Sequence, residues 1–157
     1  MKALFWNSEG IRDTAKHFFI QETLREENLD IIAILETGRS NFSAPFLRKL
    51  AGGWDLSWFC LPPHGRSGGI LVGVNNLSLS VKRVDTGDFC VKFHLRSSDG
   101  FEWNFVAVYG AAQDDNKHLF LSELTRICES HSLPILVGGD FNIIRSRTEK
   151  RDRKSVV

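Results

Sequence analysis

The sequence has few cysteines and prolines and almost no net charge. Its 157 residues include three cysteines, four prolines and one tyrosine, and the formal net charge at pH 7 is +1. Three widely spaced cysteines without a C-x-x-C pattern argue against a disulfide framework and a zinc site, and favour a reduced, intracellular setting. The small net charge excludes a global field that recruits nucleic acid, so such a partner would have to be met by a local patch.

Long apolar runs are also missing. No segment approaches the roughly 18 apolar residues that a membrane-spanning helix needs. The apolar start at Met1–Trp6 ends at once in the polar residues Asn7–Glu9, which makes it too short for a signal peptide. We therefore expect no membrane partner and no secretion. Length and composition predict one soluble globular domain over residues 1–157.

The pattern of apolar residues predicts an α/β fold. The runs at Ala3–Trp6 and Ile31–Leu35 are typical of buried strands, and a helix capped at Asp13 or Thr14 and ending near Asn28 connects them. Because a crossover of this length joins neighbouring parallel strands, we expect the two strands to lie side by side. The remaining expected elements are a short helix at Ser43–Leu50, strands at Trp54–Leu61 and Ile70–Val74, a meander over Leu77–Tyr109, a helix at Asp114–Ser130 and a strand ending at Asp140.

Two helices are expected to bury an apolar stripe, because their apolar residues recur at helical spacing. The stripe of the first helix consists of Phe18, Phe19, Ile20 and Leu24. The stripe of the last helix consists of Phe120, Leu124, Ile127 and Cys128.

Polar side chains follow the ends of four strands. They are Asn7 and Glu9, Glu36, Tyr109, and the pair Asp140 and Asn142. If the backbone stays extended, Asp140 and Asn142 share one face of their strand, and Gly138–Gly139 let another backbone or a ligand approach closely. Ligands of α/β proteins gather beyond strand ends, so these groups indicate a site. For Asn7 a turn, and for Tyr109 a structural role, are the plainer alternatives.

The candidate site offers oxygen atoms only. Without a cluster of histidine or cysteine, carboxylates and amides favour a hard cation, Mg²⁺ or alternatively Mn²⁺. A hard cation held by such groups suits the cleavage of a phosphate ester, in which the metal holds a phosphoryl oxygen and a carboxylate orients or deprotonates water.

Two further segments could contact phosphate. The Gly-rich loop His64–Gly69 leads into a strand rather than a helix, unlike a P-loop; a tight turn is its simplest role, and Arg66 and Ser67 are candidate phosphate contacts. Residues 145–157 are basic, and Arg145 is a candidate nucleic-acid contact. A frayed, solvated tail is favoured over DNA binding for this segment.

Five motifs occur in the order of the endonuclease/exonuclease/phosphatase superfamily. They are Leu4–Gly10, Asp30–Thr37, Gly65–Leu71, Val106–Gly110 and Gly138–Asn142. More narrowly, the chain resembles the apurinic-type endonuclease domain of plant LINE-type (non-LTR) retrotransposons, of which the run Gly139–Arg145 is typical. The resemblance extends from about Lys2 to Arg151.

The resemblance implies a two-sheet β-sandwich flanked by helices, the deoxyribonuclease-like fold, with the site at one edge between the sheets. It implies a Mg²⁺-dependent phosphodiester hydrolase that nicks DNA, with an intracellular, nuclear location and no obligate protein partner. Glu36 would be the main metal ligand, and Asn7 and Glu9 would support it.

Three further residues receive roles from the resemblance. Asp140 would orient or activate the attacking water, Asn142 would hold the water or the phosphate, and Tyr109 would donate a hydrogen bond to the phosphate.

The sequence also departs from the family pattern. The domain of the family continues to another Asp and a closing Ser-Asp-His, which this chain lacks; no histidine here stands in a motif that could replace it. We therefore expect a C-terminally truncated domain, incomplete in its second sheet and weakly active or inactive. The alternatives are a catalytically dead remnant that at most binds metal or nucleic acid, and a phosphatase branch of the superfamily. The run Asp140–Arg145 favours the retroelement branch over the phosphatases.

Overall fold

The structure is a computed structural model that describes residues 1–64, 68–130, 132–144 and 146. Within these ranges no helix is both long and apolar enough to cross a membrane. In chain order the elements are β1 (Ala3–Asn7), α1 (Thr14–Glu27), β2 (Ile31–Leu35), α2 (Ala44–Ala51), β3 (Leu56–Leu61), β4 (Ile70–Asn75), β5 (Leu79–Thr86), β6 (Cys90–Ser97), β7 (Glu102–Tyr109), a 3₁₀ turn (Asp114–Asn116), α3 (Lys117–Glu129) and β8 (Ile135–Asp140).

The described strands form two four-stranded sheets, ordered β1-β2-β4-β3 and β5-β6-β7-β8. The pair β1–β2 is parallel, as the sequence predicts, and its register sets Asn7 opposite Leu35. The pair β7–β8 is also parallel and sets Tyr109 opposite Asp140. Parallel pairing therefore brings the carboxyl ends of neighbouring strands to the same end of each sheet.

The core lies between the sheets and is rich in aromatic residues. Phe5 of β1 stacks on Phe105 of β7 with ring centroids 5.3 Å apart, and Phe59 of β3 meets Phe93 of β6 edge-on at 5.1 Å. Residues of α1 and α2 pack on the outer face of the first sheet, and Phe120 of α3 packs on the outer face of the second. This is the two-sheet sandwich flanked by helices that the sequence resemblance implies.

The helix α1 begins and ends where the sequence predicts. The side chain of Asp13 accepts a hydrogen bond from the backbone N–H of Ala15 at 2.9 Å, which satisfies one of the free donors at the helix start. The helix ends at Asn28, whose φ of 51° is left-handed. Asparagine tolerates this conformation better than most residues, which explains why the helix stops there.

The burial of three predicted core residues is different from the expectation. On α1 only Ile20 and Leu24 are buried, while Phe18 and Phe19 are 60% and 44% exposed. On α3 Cys128 is exposed. Each helix touches its sheet along a narrower face than its apolar pattern suggests, so residues at the margin of the stripe face outward.

The strand β1 is half-buried along its whole length, whereas β2 is fully buried. A fully buried first strand was the expectation. Among the described strands β1 is one of the two edge strands of its sheet, as β8 is of the other sheet, and an edge strand is covered from one side only.

Candidate active site

A hydrogen bond between the sheets defines the site. The amide Nδ2 of Asn7, at the end of β1, donates to Oδ2 of Asp140, at the end of β8, at 3.0 Å. Both residues are partly buried. The predicted convergence of these two strand ends is therefore present in the structure.

The two strands come this close because Gly138 has no side chain. A Cβ at Gly138 would collide with the ring of Phe5 in β1, and one at Gly139 would collide with the carbonyl oxygen of Val108. Of the two alternatives that the sequence leaves open for these glycines, close approach of another strand or of a ligand, the structure shows the first. Their role is to let β8 pack against β1 and β7.

The strand ends at Asp140, and the chain then turns. Asn142 has a left-handed φ of 51°, its backbone N–H donates to Oδ1 of Asp140 at 3.0 Å, and its Nδ2 donates to the carbonyl of Gly110 at 2.8 Å. The premise of an extended backbone through Asn142 is wrong. A turn stabilised by the Asp140 carboxylate brings the two side chains together instead, as such short polar side chains do.

Tyr109 lies near Glu36. Burial raises the pKa of Tyr109; the negative charges of Glu36 and Asp140 raise it further, while Asn142 acts in the opposite direction. The net effect keeps the phenol protonated. Tyr109 is therefore available as a hydrogen-bond donor to an anion in the site.

Backbone strain is concentrated at the site. Of the non-glycine residues that the structure describes, four have positive φ: Glu9 (47°), Asn28 (51°), Glu36 (55°) and Asn142 (51°). For glutamate this conformation costs about 1–2 kcal/mol, and asparagine adopts it at a lower cost. One of the four is the helix end at Asn28, and the other three are predicted site residues. Strain of this kind persists where the surrounding contacts hold it and where function requires it.

The strained conformation of Glu36 is held by the loop after β1. The backbone N–H of Gly10 donates to the carbonyl of Glu36 at 2.7 Å, and the buried hydroxyl of Ser8 donates to the carbonyl of Leu35 at 3.0 Å. The loop Ser8–Gly10 thus fixes the direction in which Glu36 leaves β2.

Lys16 stabilises the loop Ser8–Gly10. The sequence patterns did not predict this role for Lys16. Its Nζ donates to the carbonyls of Ser8 at 2.5 Å, Glu9 at 3.3 Å and Gly10 at 3.0 Å. Lys16 lies in the first turn of α1, where the helix dipole disfavours a cation. That unfavourable position was the available signal that the ammonium has carbonyl partners elsewhere.

Glu9 reaches the site through its backbone. Its N–H donates to Oδ1 of Asn7 at 3.1 Å, which orients the carboxamide so that Nδ2 points to Asp140. The residue itself is exposed. Its role as a supporting metal ligand remains a prediction.

The available donor atoms fit Mg²⁺ better than a metal ion whose ligands must all come from protein side chains. Among the described residues, no group of three or more His, Cys, Asp or Glu is arranged to hold a metal. The site offers the carboxylates of Glu36 and Asp140 with the amide oxygens of Asn7 and Asn142. Mg²⁺ is commonly held by one or two carboxylates and completes its shell with water and phosphate. The donor set therefore fits Mg²⁺ together with a phosphate substrate.

An open cleft adjoins these residues. It has a volume of about 870 Å³ and is lined by Asn7, Asp140 and Asn142 together with Phe141 and Lys117. Three predicted contacts cannot be located in it, because Arg66, Ser67 and Arg145 lie outside the described residues. Their phosphate-binding roles, and the frayed tail over residues 145–157, remain predictions.

Comparison with known proteins identifies a family. A family model described as Endonuclease/Exonuclease/phosphatase family matches residues 4–156. No curated protein matches the chain.

Similar solved structures include the human Nocturnin catalytic domain with bound sulfate (15% identity, TM-score 0.66, 90% of this chain and 64% of that chain). A second is D. rerio TDP2 complexed with single-strand DNA product, at 14% identity and a TM-score of 0.66, covering 90% of this chain and 60% of that chain. A third is the 3′ phosphatase NExo from Neisseria bound to product DNA hairpin, at 18% identity and a TM-score of 0.68, covering 95% of this chain and 60% of that chain. At these identities the likeness establishes the fold alone. The chain spans less than two thirds of each of these three structures.

Proposed function

The chain belongs to the endonuclease/exonuclease/phosphatase family, and from this premise we propose that its site hydrolyses a phosphodiester bond of DNA with the help of Mg²⁺. The observation that supports the proposal most is the Asn7–Asp140 hydrogen bond at 3.0 Å. It joins the ends of two strands from different sheets beside Tyr109, whose pKa is raised by burial and by the charge of Glu36. Asp140, Asn7 and Asn142 line the cleft and the phenol of Tyr109 lines an adjoining cavity; acid, amide and phenol are the groups that metal-assisted phosphoester hydrolysis needs.

Glu36 is the proposed main ligand of the cation, with Asn7 and Glu9 in support. A bound divalent cation would supply Lewis acidity at a phosphoryl oxygen. The hydrogen bond from Gly10 to its carbonyl holds the left-handed backbone of Glu36 in place, so little backbone reorganisation is needed when the cation binds.

Asp140 is the proposed base or orienting group for water. Each of its carboxylate oxygens accepts one hydrogen bond, from Nδ2 of Asn7 and from the N–H of Asn142. Each oxygen retains a further lone pair that can accept a proton of water. The two donors fix the plane of the carboxylate, which is the condition for directing water along one line of attack.

Tyr109 and Asn142 are the proposed phosphate contacts. The burial and negative surroundings that raise the pKa of Tyr109 keep its hydroxyl a donor at neutral pH. Nδ2 of Asn142 is anchored on the carbonyl of Gly110. Donors fixed in this way stabilise the charge that develops on a phosphoryl group in the transition state.

DNA is the proposed substrate. Two of the similar structures, TDP2 and NExo, are named as complexes with DNA products, and those statements concern those proteins. We also propose that the chain derives from a LINE-type retroelement and is located in the nucleus. Both proposals rest on the resemblance of the run Gly139–Arg145 to that family. The chain spans less than two thirds of these structures. Cleavage of DNA by the whole protein is therefore proposed together with the role of this chain.

A plasmid-nicking assay tests the chemistry. Purified protein with Mg²⁺ should convert supercoiled plasmid to the open circle, and EDTA should stop the reaction. Glu36→Gln and Asp140→Asn should each lower the rate by at least about 100-fold. Glu26→Gln, which changes an exposed acid of α1, is the matched control and should leave the rate unchanged.

Three outcomes decide between the alternatives. Equal rates in the wild type and both site variants would refute the site assignment. Binding of Mn²⁺ that depends on Glu36, without any nicking, would identify a catalytically dead remnant. Release of phosphate from a 3′-phosphorylated oligonucleotide, without nicking, would identify the phosphatase branch that NExo represents.

A further inference from the structure

A second, smaller cavity adjoins Tyr109. Its volume is about 150 Å³. The buried part of its lining is mainly apolar or backbone and consists of Leu61, Gly68, Gly69, Ile70, Gly110 and Ala111. A group that enters this cavity is therefore removed from water without meeting a fixed charge at the bottom.

The rim of the cavity carries the polar pair His64 and Asp88 and two amide side chains, Gln113 and Asn116. Gln113 precedes the 3₁₀ turn and Asn116 is its last residue, and the side chain of neither makes a capping hydrogen bond. Both residues are exposed and line the cavity. Each amide offers a donor and an acceptor to a ligand.

The cavity is directly connected to the proposed catalytic groups. Tyr109, a proposed phosphate contact, lines it. Gly110 lines it and accepts a hydrogen bond from Asn142. Ala112 lines both this cavity and the cleft of the candidate active site. A ligand held at the hydroxyl of Tyr109 can thus extend into the cavity.

The size of the cavity restricts what it can hold. At about 150 Å³ it is smaller than the roughly 300–1,000 Å³ of pockets that enclose a drug-sized ligand. It can take one ring-sized group and not a whole nucleotide. Phe89, whose ring is fixed against Phe120 at 5.7 Å, supplies an aromatic side chain to the lining, and aromatic side chains favour planar ligands.

We propose that this cavity binds one nucleobase of the nucleic-acid substrate, with its hydrogen-bonding edge at Gln113 and Asn116. The base belongs to the nucleotide whose phosphate lies at Tyr109. In this respect the inference rests on the proposed function. The apolar floor excludes water from the ring, and the two amides recognise the polar edge of the base, as amide side chains do at base edges.

Ligand binding to the full chain in Ca²⁺ tests this assignment without turnover. A nucleoside 5′-monophosphate should bind at least about 10-fold more tightly than ribose 5-phosphate, because a stacked and hydrogen-bonded base adds affinity. A free nucleoside should shift the amide NMR signals of Phe89 and Ala111. Asn116→Leu should abolish the preference for the nucleotide and leave the affinity for ribose 5-phosphate unchanged.

Asn41→Leu makes the same change at an exposed position outside the cavity and is the control. If Asn116→Leu does not fold, Asn116→Ala should weaken nucleotide binding in the same direction. Equal affinities for the nucleotide and ribose 5-phosphate, or a preference that survives in Asn116→Leu, would overturn the assignment. If phosphate binding and nicking fail while the free nucleoside still shifts the two cavity signals, the base site stands and the proposed function fails.

Discussion

Nδ2 of Asn7 and Oδ2 of Asp140 lie 3.0 Å apart although 133 residues separate them in the chain. One residue belongs to the first sheet and the other to the second, so the candidate site exists only when the sheets are packed. Formation of the site is thereby coupled to formation of the core.

Asn7→Asp should disrupt this contact more than Asn7→Ala. The aspartate would place a second carboxylate at hydrogen-bonding distance from Asp140, where like charges repel and a donor is lost. We expect a loss of about 1–3 kcal/mol in the free energy of unfolding, measured by urea denaturation at pH 7, and a strong loss of nicking. Asn41→Asp, at an exposed position, is the control. Equal stability of Asn7→Asp and the wild type would contradict the contact.

Gly138→Ala should separate β1 from β8. The new Cβ would collide with the ring of Phe5, and overpacking of this kind costs about 1–3 kcal/mol. A double-mutant cycle with Phe5→Leu measures the coupling. We expect the smaller side chain to relieve part of the cost, so that the double variant is more stable than the sum of the single changes predicts. Additive changes would show that Phe5 and Gly138 do not constrain one another.

These two contacts show how far the sequence alone leads. The crossover length predicted the parallel pair β1–β2, and the strand ends predicted that Asn7, Glu36, Tyr109 and Asp140 form one site, because both are local properties of the chain. The two-sheet sandwich was implied only by the resemblance of the motifs to a known family. The turn at Asn142 and the contact of Gly138 with Phe5 were not predictable, since both depend on residues that are distant in sequence.

Lys16→Met should loosen the loop that holds Glu36. The variant leaves the carbonyls of Ser8 and Gly10 without their charged donor, which lowers the free energy of unfolding by about 1–3 kcal/mol. Removal of a cation from the first turn of α1 raises it by a few tenths of a kcal/mol. The net loss of stability, measured by thermal unfolding, should be accompanied by weaker Mn²⁺ binding. Lys82→Met, on an exposed position of β5, should change neither quantity. Unchanged Mn²⁺ affinity in Lys16→Met would show that the loop does not position the ligand.

The three thiols should react at different rates with a disulfide reagent at pH 8. Cys128 is exposed and should react first. Cys60 is half-buried and should be slower, because burial raises its pKa. Cys90 is fully buried, and burial followed by the charge of Glu123 raises its pKa well above the usual value; only the thiolate is nucleophilic, so it should react after unfolding alone.

Mass spectrometry of the labelled peptides assigns each phase of this reaction. Cys128→Ser should remove the fast phase and leave the other two unchanged. Labelling of Cys90 in the folded protein at the rate of Cys128 would contradict the packing of α3 over β6.

The carboxylate of Asp85 should make stability depend on pH. It lies 2.7 Å from Nε of Arg83 and 3.2 Å from Nζ of Lys92. Partial burial tends to raise the pKa of Asp85, but the hydrogen bonds and charges of Arg83 and Lys92 outweigh it and lower the pKa in the folded state. The ionised form is therefore favoured by folding. Its contribution is present above the unfolded pKa of about 3.9 and is lost as pH falls through the lower folded value.

Asp85→Asn should thus destabilise the protein at pH 7 and have a diminishing effect below about pH 4. Because the side chain is 35% exposed, solvent screens the pair, and the difference at pH 7 should be no more than about 0.5–1 kcal/mol and should decrease with added salt. Urea denaturation of both proteins between pH 2.5 and pH 7, with Glu26→Gln as the control, measures it. A difference that stays constant over this range would mean that the lost contact is not ionic, and that the amide simply packs less well between β5 and β6.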